Sequence, residues 1–202
     1  MTPLEQSWHR AWNHLGLAAP PGLREQLLAV YSEPHRHYHC LQHLEECIAR
    51  FDESINHATR PGEVEMALWF HDAIYDLQGK DNERRSADWA AQELAACGAA
   101  GPVIRRIESL IMATCHAAVP LDADQQLLVD IDLAILGAPP TRFAEYDRQV
   151  KAEYAWVPDA LYRSKRREVL LGFLSRPFIY STGHFMERFE QQARANLQEA
   201  IR

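Results

Sequence analysis

Apolar residues recur along this chain every three or four positions and nowhere in sustained alternation, so the pattern predicts helices and no strands. Leu41, Leu44, Ile48 and Phe51 share one face of "YHCLQHLEECIARFDESI", and Val103, Ile107, Leu110 and Ile111 share one face of "PVIRRIESLIMAT". Helix-stopping residues separate such segments. Gly16, Gly98 and Gly137 follow the last periodic positions of three of them, and Pro21, Pro34 and the Pro61–Gly62 pair break the chain. Further helices are expected in "TPLEQSWHRAWNHLGL", "PGLREQLLAVYSEP", "EVEMALWFHDAIY", "DNERRSADWAAQELAACG" and "DADQQLLVDIDLAILG". The last three are "PTRFAEYDRQVKAEY", "PDALYRSKRREVLLGFLS" and "GHFMERFEQQARANLQEAI". The expected fold class is all-α, a helical bundle.

Composition narrows the class. A chain of 202 residues, 47% apolar and 24% charged, fits one soluble globular domain over 1–202. A net charge of −7 with no basic run argues against a nucleic-acid surface. No stretch approaches the roughly 18 consecutive apolar residues of a membrane span. The first segment is amphipathic and lacks a signal-peptide core, which points to a cytoplasmic protein. The four cysteines, Cys40, Cys47, Cys97 and Cys115, show no CxxC spacing and read as reduced, partly buried thiols.

Three segments place polar residues where the pattern calls for apolar ones. His71 follows Leu68 by three and Ala67 by four, and Asp72 follows Leu68 by four, so both extend a buried helix face. A buried carboxylate is costly unless compensated. Either a His–Asp hydrogen bond fixes packing, though neighbours on a helix face each other poorly, or both residues share a cation. Asp132 has Leu128 four before it, Ile135 three after and Leu136 four after. It needs either a cation or an arginine from another helix, and its setting is more apolar than that of Asp130. The third place is "PHRHYHCLQH". His35 and His37 read as solvated, whereas His39 and His43, four apart, share one side of a helix, with His43 near the apolar stripe. His43, His71, Asp72 and Asp132 together make a mixed N/O set suited to a divalent metal, with no thiolate needed.

The order H…HD…D on helices of an all-α chain resembles the HD superfamily of metal-dependent phosphohydrolases. "YHCLQH" is similar to the Tyr-His-x3-His stretch of the related cyclic-nucleotide phosphodiesterases, and "LLVDIDLAILG" to the Asp-x-Asp segment that ends the HD core. With "FHDAIYD", "DNERRSA" and "RPFIYST", the whole pattern resembles a bacterial family of uncharacterised HD phosphohydrolases. The resemblance implies an HD-domain-like helical bundle, with a metal-binding core over about residues 30–140 and extra C-terminal helices over about 141–202 that carry no functional information. It implies His43, His71, Asp72 and Asp132 as ligands of one or two divalent ions, Asp72 bridging where there are two, and His39 as proton donor. The pattern departs at Cys40, where the phosphodiesterases have Asn. No nucleobase clamp is identifiable, so cyclic-nucleotide hydrolysis is not implied.

The implied reaction is hydrolysis of a phosphoester or nucleotide, a small phosphorylated substrate, by water that the metal activates. Mn, Mg, Fe, Ni, Co and Zn are all compatible. His116 is an extra ligand, a phosphate contact or a helix-capping histidine. Arg36, Arg84 and Arg85 are phosphate partners or surface arginines. Glu83 orders a site water or histidine, or is an exposed helix-start acid. "RSKRRE" (163–168) reads as a solvated helix face. Two other classes stay open: a di-iron redox enzyme on an HD-like scaffold, which needs further histidines, and a non-catalytic metal-stabilised binding module. Phe185, Phe189 and Leu197 of the last helix read as exposed, serving a homo-oligomer interface or docking on the core.

Overall fold

The computed structural model describes residues 1–116 and 120–202. Among them the chain is all helical: α1 (Pro3–Leu15), α2 (Leu23–Val30), α3 (Leu41–Ser54), α4 (Pro61–Phe70), α5 (Asn82–Ala96), α6 (Gly101–Ala113), α7 (Ala123–Asp132), α8 (Pro140–Glu153), α9 (Asp159–Leu174) and α10 (Gly183–Ala200). Short 3-10 turns cover Ile55–His57 and Leu133–Gly137. The punctuation read from sequence sits at the helix ends. Thr2 caps α1 in a capping box with Glu5, and Gly16 closes it in the left-handed region.

α4 lies at the centre, packed against α1, α3, α5, α6 and α7. The periodicity argument gave this helix one buried face, but every residue from Gly62 to Phe70 is buried. Trp69 packs edge-on against Trp8, which packs edge-on against Trp12, and the Trp69 indole N–H donates to Ser7 Oγ (3.0 Å). Two carboxylates on α4 are enclosed and take cations from neighbouring helices. Glu65 accepts from the Arg10 guanidinium of α1, and Glu63 from Arg106 of α6. A buried carboxylate left without such a partner is strongly destabilising.

The helix expected to run on through Tyr75 stops at Phe70. His71 is its C-cap, and the Ala73 N–H donates to Phe70 O (2.9 Å), turning the chain at once. The turn is held from the 31–40 segment. Asp72 N–H donates to the Tyr31 hydroxyl, and Arg36 donates to the carbonyls of His39, Asp72 and Ala73.

The C-terminal helices fasten to the Leu133–Gly137 turn. Asn196 donates to Leu136 O and Ala138 O (2.8 Å each), and the Tyr180 hydroxyl donates to Leu133 O. Asp130, read as less buried than Asp132, is wholly shielded. It accepts from Ser181 N–H, Thr182 N–H and the Thr182 hydroxyl, which ties the start of α10 to α7. Phe185, Phe189 and Leu197, read as exposed, are buried in the core. Of the two readings of these residues, docking on the core is the one that accounts for them. No helix among the described residues is long and apolar enough to cross a membrane. The four cysteines are free: Cys47 is buried, Cys40 and Cys97 are half-buried and Cys115 is exposed.

Gly137 lies directly against α10. A Cβ there would lie 2.6 Å from Phe189 Cβ and 2.8 Å from Phe189 O. Gly137→Ala is expected to lower stability by about 1–3 kcal/mol through overpacking. Gly172→Ala, on an exposed stretch of α9 with nothing within 4 Å, is expected to raise it by about 0.5–1 kcal/mol. Urea unfolding of the two variants checks the pair.

Candidate metal centre

Three helices deliver the four side chains singled out from sequence. His43 sits in the first turn of α3, His71 and Asp72 at the end of α4, and Asp132 at the last residue of α7. His43 Nε2 lies 3.1 Å from His71 Nε2, 3.2 Å from Asp132 Oδ1 and 3.4 Å from Asp72 Oδ2. His71 Nε2 lies 3.1 Å from Asp72 Oδ2 and 3.8 Å from Asp132 Oδ1. His116 Nε2 reaches the other Asp132 oxygen at 3.1 Å. His116 attains this in the left-handed region (φ 53°), a strained conformation for a side-chain-bearing residue. It is a neighbour of Asp132, a role beyond the capping of α6.

The chemistry of this donor set fits a metal ion. Bonds of about 2.0–2.2 Å put neighbouring ligand atoms about 3.0–3.5 Å apart, the range found here for every pair but His71–Asp132 at 3.8 Å. His71 Nδ1 lies 2.8 Å from Leu68 O, so its N–H is spent on that carbonyl and Nε2 is turned to the cluster. His43 and His71 are buried, and two ring nitrogens 3.1 Å apart need a proton or a cation between them. Among the described residues Asp132 pairs with His43, His71 and His116 and with no arginine, so imidazoles take the place of the helix–helix arginine considered for it.

The structure adds Cys47, one turn after His43. His43, Cys47, His71 and Asp132 offer donor atoms within 4.8 Å of one another and can hold a metal ion. Cys47 Sγ lies 3.7 Å from both ring nitrogens of His43. Burial pushes its thiol pKa up, so it stays protonated unless a metal displaces the proton. Asp72 is not in that tightest group, but its contacts to both imidazoles place it at the same centre.

The electrostatics are those of carboxylates facing imidazoles. Burial raises the Asp72 and Asp132 pKa values, and the surrounding histidines outweigh it, holding both below the usual carboxylate range. Burial lowers His43 and His71; Cys47 and Tyr38 with the two aspartates outweigh it at His43, and Asp72 and Asp132 outweigh it at His71, holding both above the usual imidazole range.

His39 lies at the rim and is held by Glu153, the last residue of α8. Glu153 Oε1 accepts from the backbone N–H groups of His37, Tyr38 and His39 (2.9, 2.7 and 2.9 Å). Its Oε2 accepts from His39 Nδ1 (2.8 Å) and the Tyr75 hydroxyl (2.9 Å). His39 also stacks on the Tyr75 ring, with centroids 4.2 Å apart. These contacts leave His39 Nε2 as the ring's free end. Burial raises the Glu153 pKa, but the His39 pairing and the backbone donors outweigh it and bring it down to about 2. Glu153 was missed from sequence, yet it carried the same signal as Asp132. Phe143, Tyr146, Val150 and Glu153 form one helical stripe, a carboxylate continuing an apolar face.

Other candidates lie apart from the donor cluster. Arg36 is buried and engages four of its five N–H donors on Glu33 and three carbonyls, so it is a strut of the turn. Arg84 is half exposed and faces Asp88 and Glu108, and Arg85 is exposed. Glu83 is half-buried beside Cys115. His37 is exposed, and His35 reaches Tyr75 O (2.9 Å).

A cavity of about 420 Å³ opens onto the centre, lined at that end by His39, His116 and Asp132. Larger concavities of about 650 and 710 Å³ lie elsewhere on the surface and touch none of the candidate donors. Size does not select the site; contact with the cluster does. No protein-family model, no curated protein and no solved structure matches the chain.

Glu153→Gln is expected to destabilise the protein by about 3 kcal/mol at neutral pH. A depressed carboxylate contributes in full above its unfolded value and loses that contribution as pH falls through the folded one. The difference between wild type and variant should therefore shrink from about pH 4.5 towards about pH 2. Chemical unfolding of both proteins across that window gives the answer, and a pH-independent difference would rule the account out.

Proposed function

We propose that this chain is a metal-dependent phosphohydrolase of the HD type, acting on a small phosphorylated substrate. One observation carries the reading: buried imidazoles and ionised carboxylates from three helices converge behind Asp132, which lines a cavity together with a carboxylate-backed histidine. His43, His71, Asp72 and Asp132 would hold the ion, with Cys47 and His116 beside them. A divalent ion so held supplies Lewis acidity and activates water for attack on phosphorus.

The chain's own residues account for the remainder. Asp72 and Asp132 are kept ionised and so present negative oxygen to a cation. The Leu68 carbonyl fixes the His71 ring, and the Arg36 latch fixes the backbone that carries Asp72. Hydrolysis breaks the phosphorus–oxygen bond to the leaving group and forms one to the water oxygen. The leaving oxygen needs a proton, which His39 would give from Nε2, its Nδ1 being held by Glu153. Mixed N/O donors with a thiol nearby favour a first-row ion, Mn, Fe, Co, Ni or Zn, over Mg.

Protein purified without added metal is expected to carry about one or two equivalents, measured by elemental analysis, and Asp72→Ala to lose most of it. The metal-loaded protein should hydrolyse simple phosphomonoesters, and Asp72→Ala should lower kcat at least about a hundredfold. Absence of metal in both proteins after reconstitution with manganese or iron would defeat the reading. Bound iron with a visible absorption band and no hydrolysis would favour redox chemistry instead.

A further inference from the structure

We propose that the cavity beside the centre accepts an organic phosphate whose body is a flat apolar ring bearing an anionic or acceptor group at its far end, met by Arg166. The phosphate half of this inference rests on the hydrolase reading; the body-binding half stands on the cavity itself.

The cavity has two polar ends and an apolar middle. One end is His39, His116 and Asp132. The walls between are apolar, from Leu133, Leu136, Val150, Val169 and Phe173, and the other end is closed by Tyr154, Tyr162, Lys165 and Arg166. Its volume, about 420 Å³, is that of a small-molecule site. Apart from the Tyr38 and Tyr146 hydroxyls, the walls offer no polar partner along their length. A sugar's hydroxyls would lie there unpaired, which a site of this kind rejects, whereas a ring packs against tyrosine and phenylalanine faces.

The cavity also gathers unpartnered polar atoms. Among the described residues, six buried side-chain atoms lack a hydrogen-bond partner, and four of these belong to cavity-lining residues: Tyr38 Oη, Tyr162 Oη, Arg166 Nη2 and His116 Nδ1. Tyr38 is 5% exposed, with its ring wedged between His43 and Tyr146. Native proteins rarely leave buried polar groups unsatisfied, and a cluster of them around one cavity marks where a ligand's polar groups belong.

"RSKRRE" is solvated as expected at Arg163, Lys165 and Arg167, but Arg166 turns inward. Its side chain is 14% exposed and its guanidinium lies 5.0 Å over the Tyr146 ring. Nε donates to Asp147 Oδ1 (3.1 Å); Nη2 is equally near that oxygen but out of hydrogen-bonding alignment. A guanidinium has five N–H donors, and Asp147 engages one. Lys165 pairs with Glu168 (2.9 Å), so the remaining Arg166 N–H groups are what this end offers an anionic group.

The test uses three phosphomonoesters that leave similar primary alkoxides: glycerol phosphate, benzyl phosphate and para-carboxybenzyl phosphate. With metal-loaded protein, kcat/KM should rise at least about tenfold from the first to the second, and several-fold again to the third. Arg166→Gln should abolish the second increase and leave the first. Tyr162→Phe, which removes only an unpartnered hydroxyl and spares the Asp147 pair, should reduce the second increase if Arg166→Gln fails to fold. Calorimetric titration with benzylphosphonate and para-carboxybenzylphosphonate reads the same preference without turnover. Equal rates on glycerol and benzyl phosphate, or a carboxylate preference that survives both substitutions, would overturn the proposal. If no ester is hydrolysed, the hydrolase reading fails and the titration decides alone: tighter binding of the carboxylated phosphonate, lost in the variants, sustains the pocket, and no binding ends it.

Discussion

Enclosure of α4 on all sides is the constraint from which the rest follows. A helix with no solvated face must find a partner for every polar group it carries. Glu63 and Glu65 take arginines from α6 and α1. The helix stops at Phe70 because the chain must turn there, and the turn is stitched to the 31–40 segment by Tyr31 and Arg36. That stitching brings His39 and His43 next to His71 and Asp72. The centre is thus built by the same bonds that close the core, and the residues around it have little freedom to be elsewhere.

Buried carboxylates in this protein are compensated in different ways, and the difference separates structure from chemistry. Asp124 accepts from the backbone N–H groups of Thr59 and Arg60, and Asp130 from those of Ser181 and Thr182. Glu63 and Glu65 pair with guanidinium groups. These partners are permanent donors, so the carboxylates they hold are ties. Asp72 and Asp132 face imidazoles through their side-chain oxygens. An imidazole can exchange its proton for a cation, which a backbone amide or an arginine cannot do. Glu153 combines the two modes: three amides fix it, and it in turn fixes a histidine.

The C-terminal helices are part of the site. α8 supplies Glu153, α9 supplies Arg166 and Phe173 to the cavity wall, and α10 clamps the turn that follows Asp132. The resemblance assigned these helices no function, because its informative motifs end near residue 140. The stripe of Phe143, Tyr146, Val150 and Glu153 shows that the signal was present in the chain all the same.

What the chain determined locally is what depends on spacing and on single-residue chemistry. The helices, their stops at Gly16 and Gly98, and the polar interruptions at His43, His71, Asp72 and Asp132 could be read from it, although α7 ends at Asp132, before Gly137, and α4 at Phe70, before His71. Periodicity reports which face of a helix is apolar, but not what lies opposite. It could not tell that α4 is buried all round, that Asp130 meets a loop 51 residues away, or that Phe185 and Leu197 turn inward. It could not separate Arg36, consumed by carbonyls, from Arg166, turned to a cavity with donors unspent. Those distinctions rest on contacts between residues far apart in sequence. Only the packed chain decides whether a polar group meets a permanent partner or an open space.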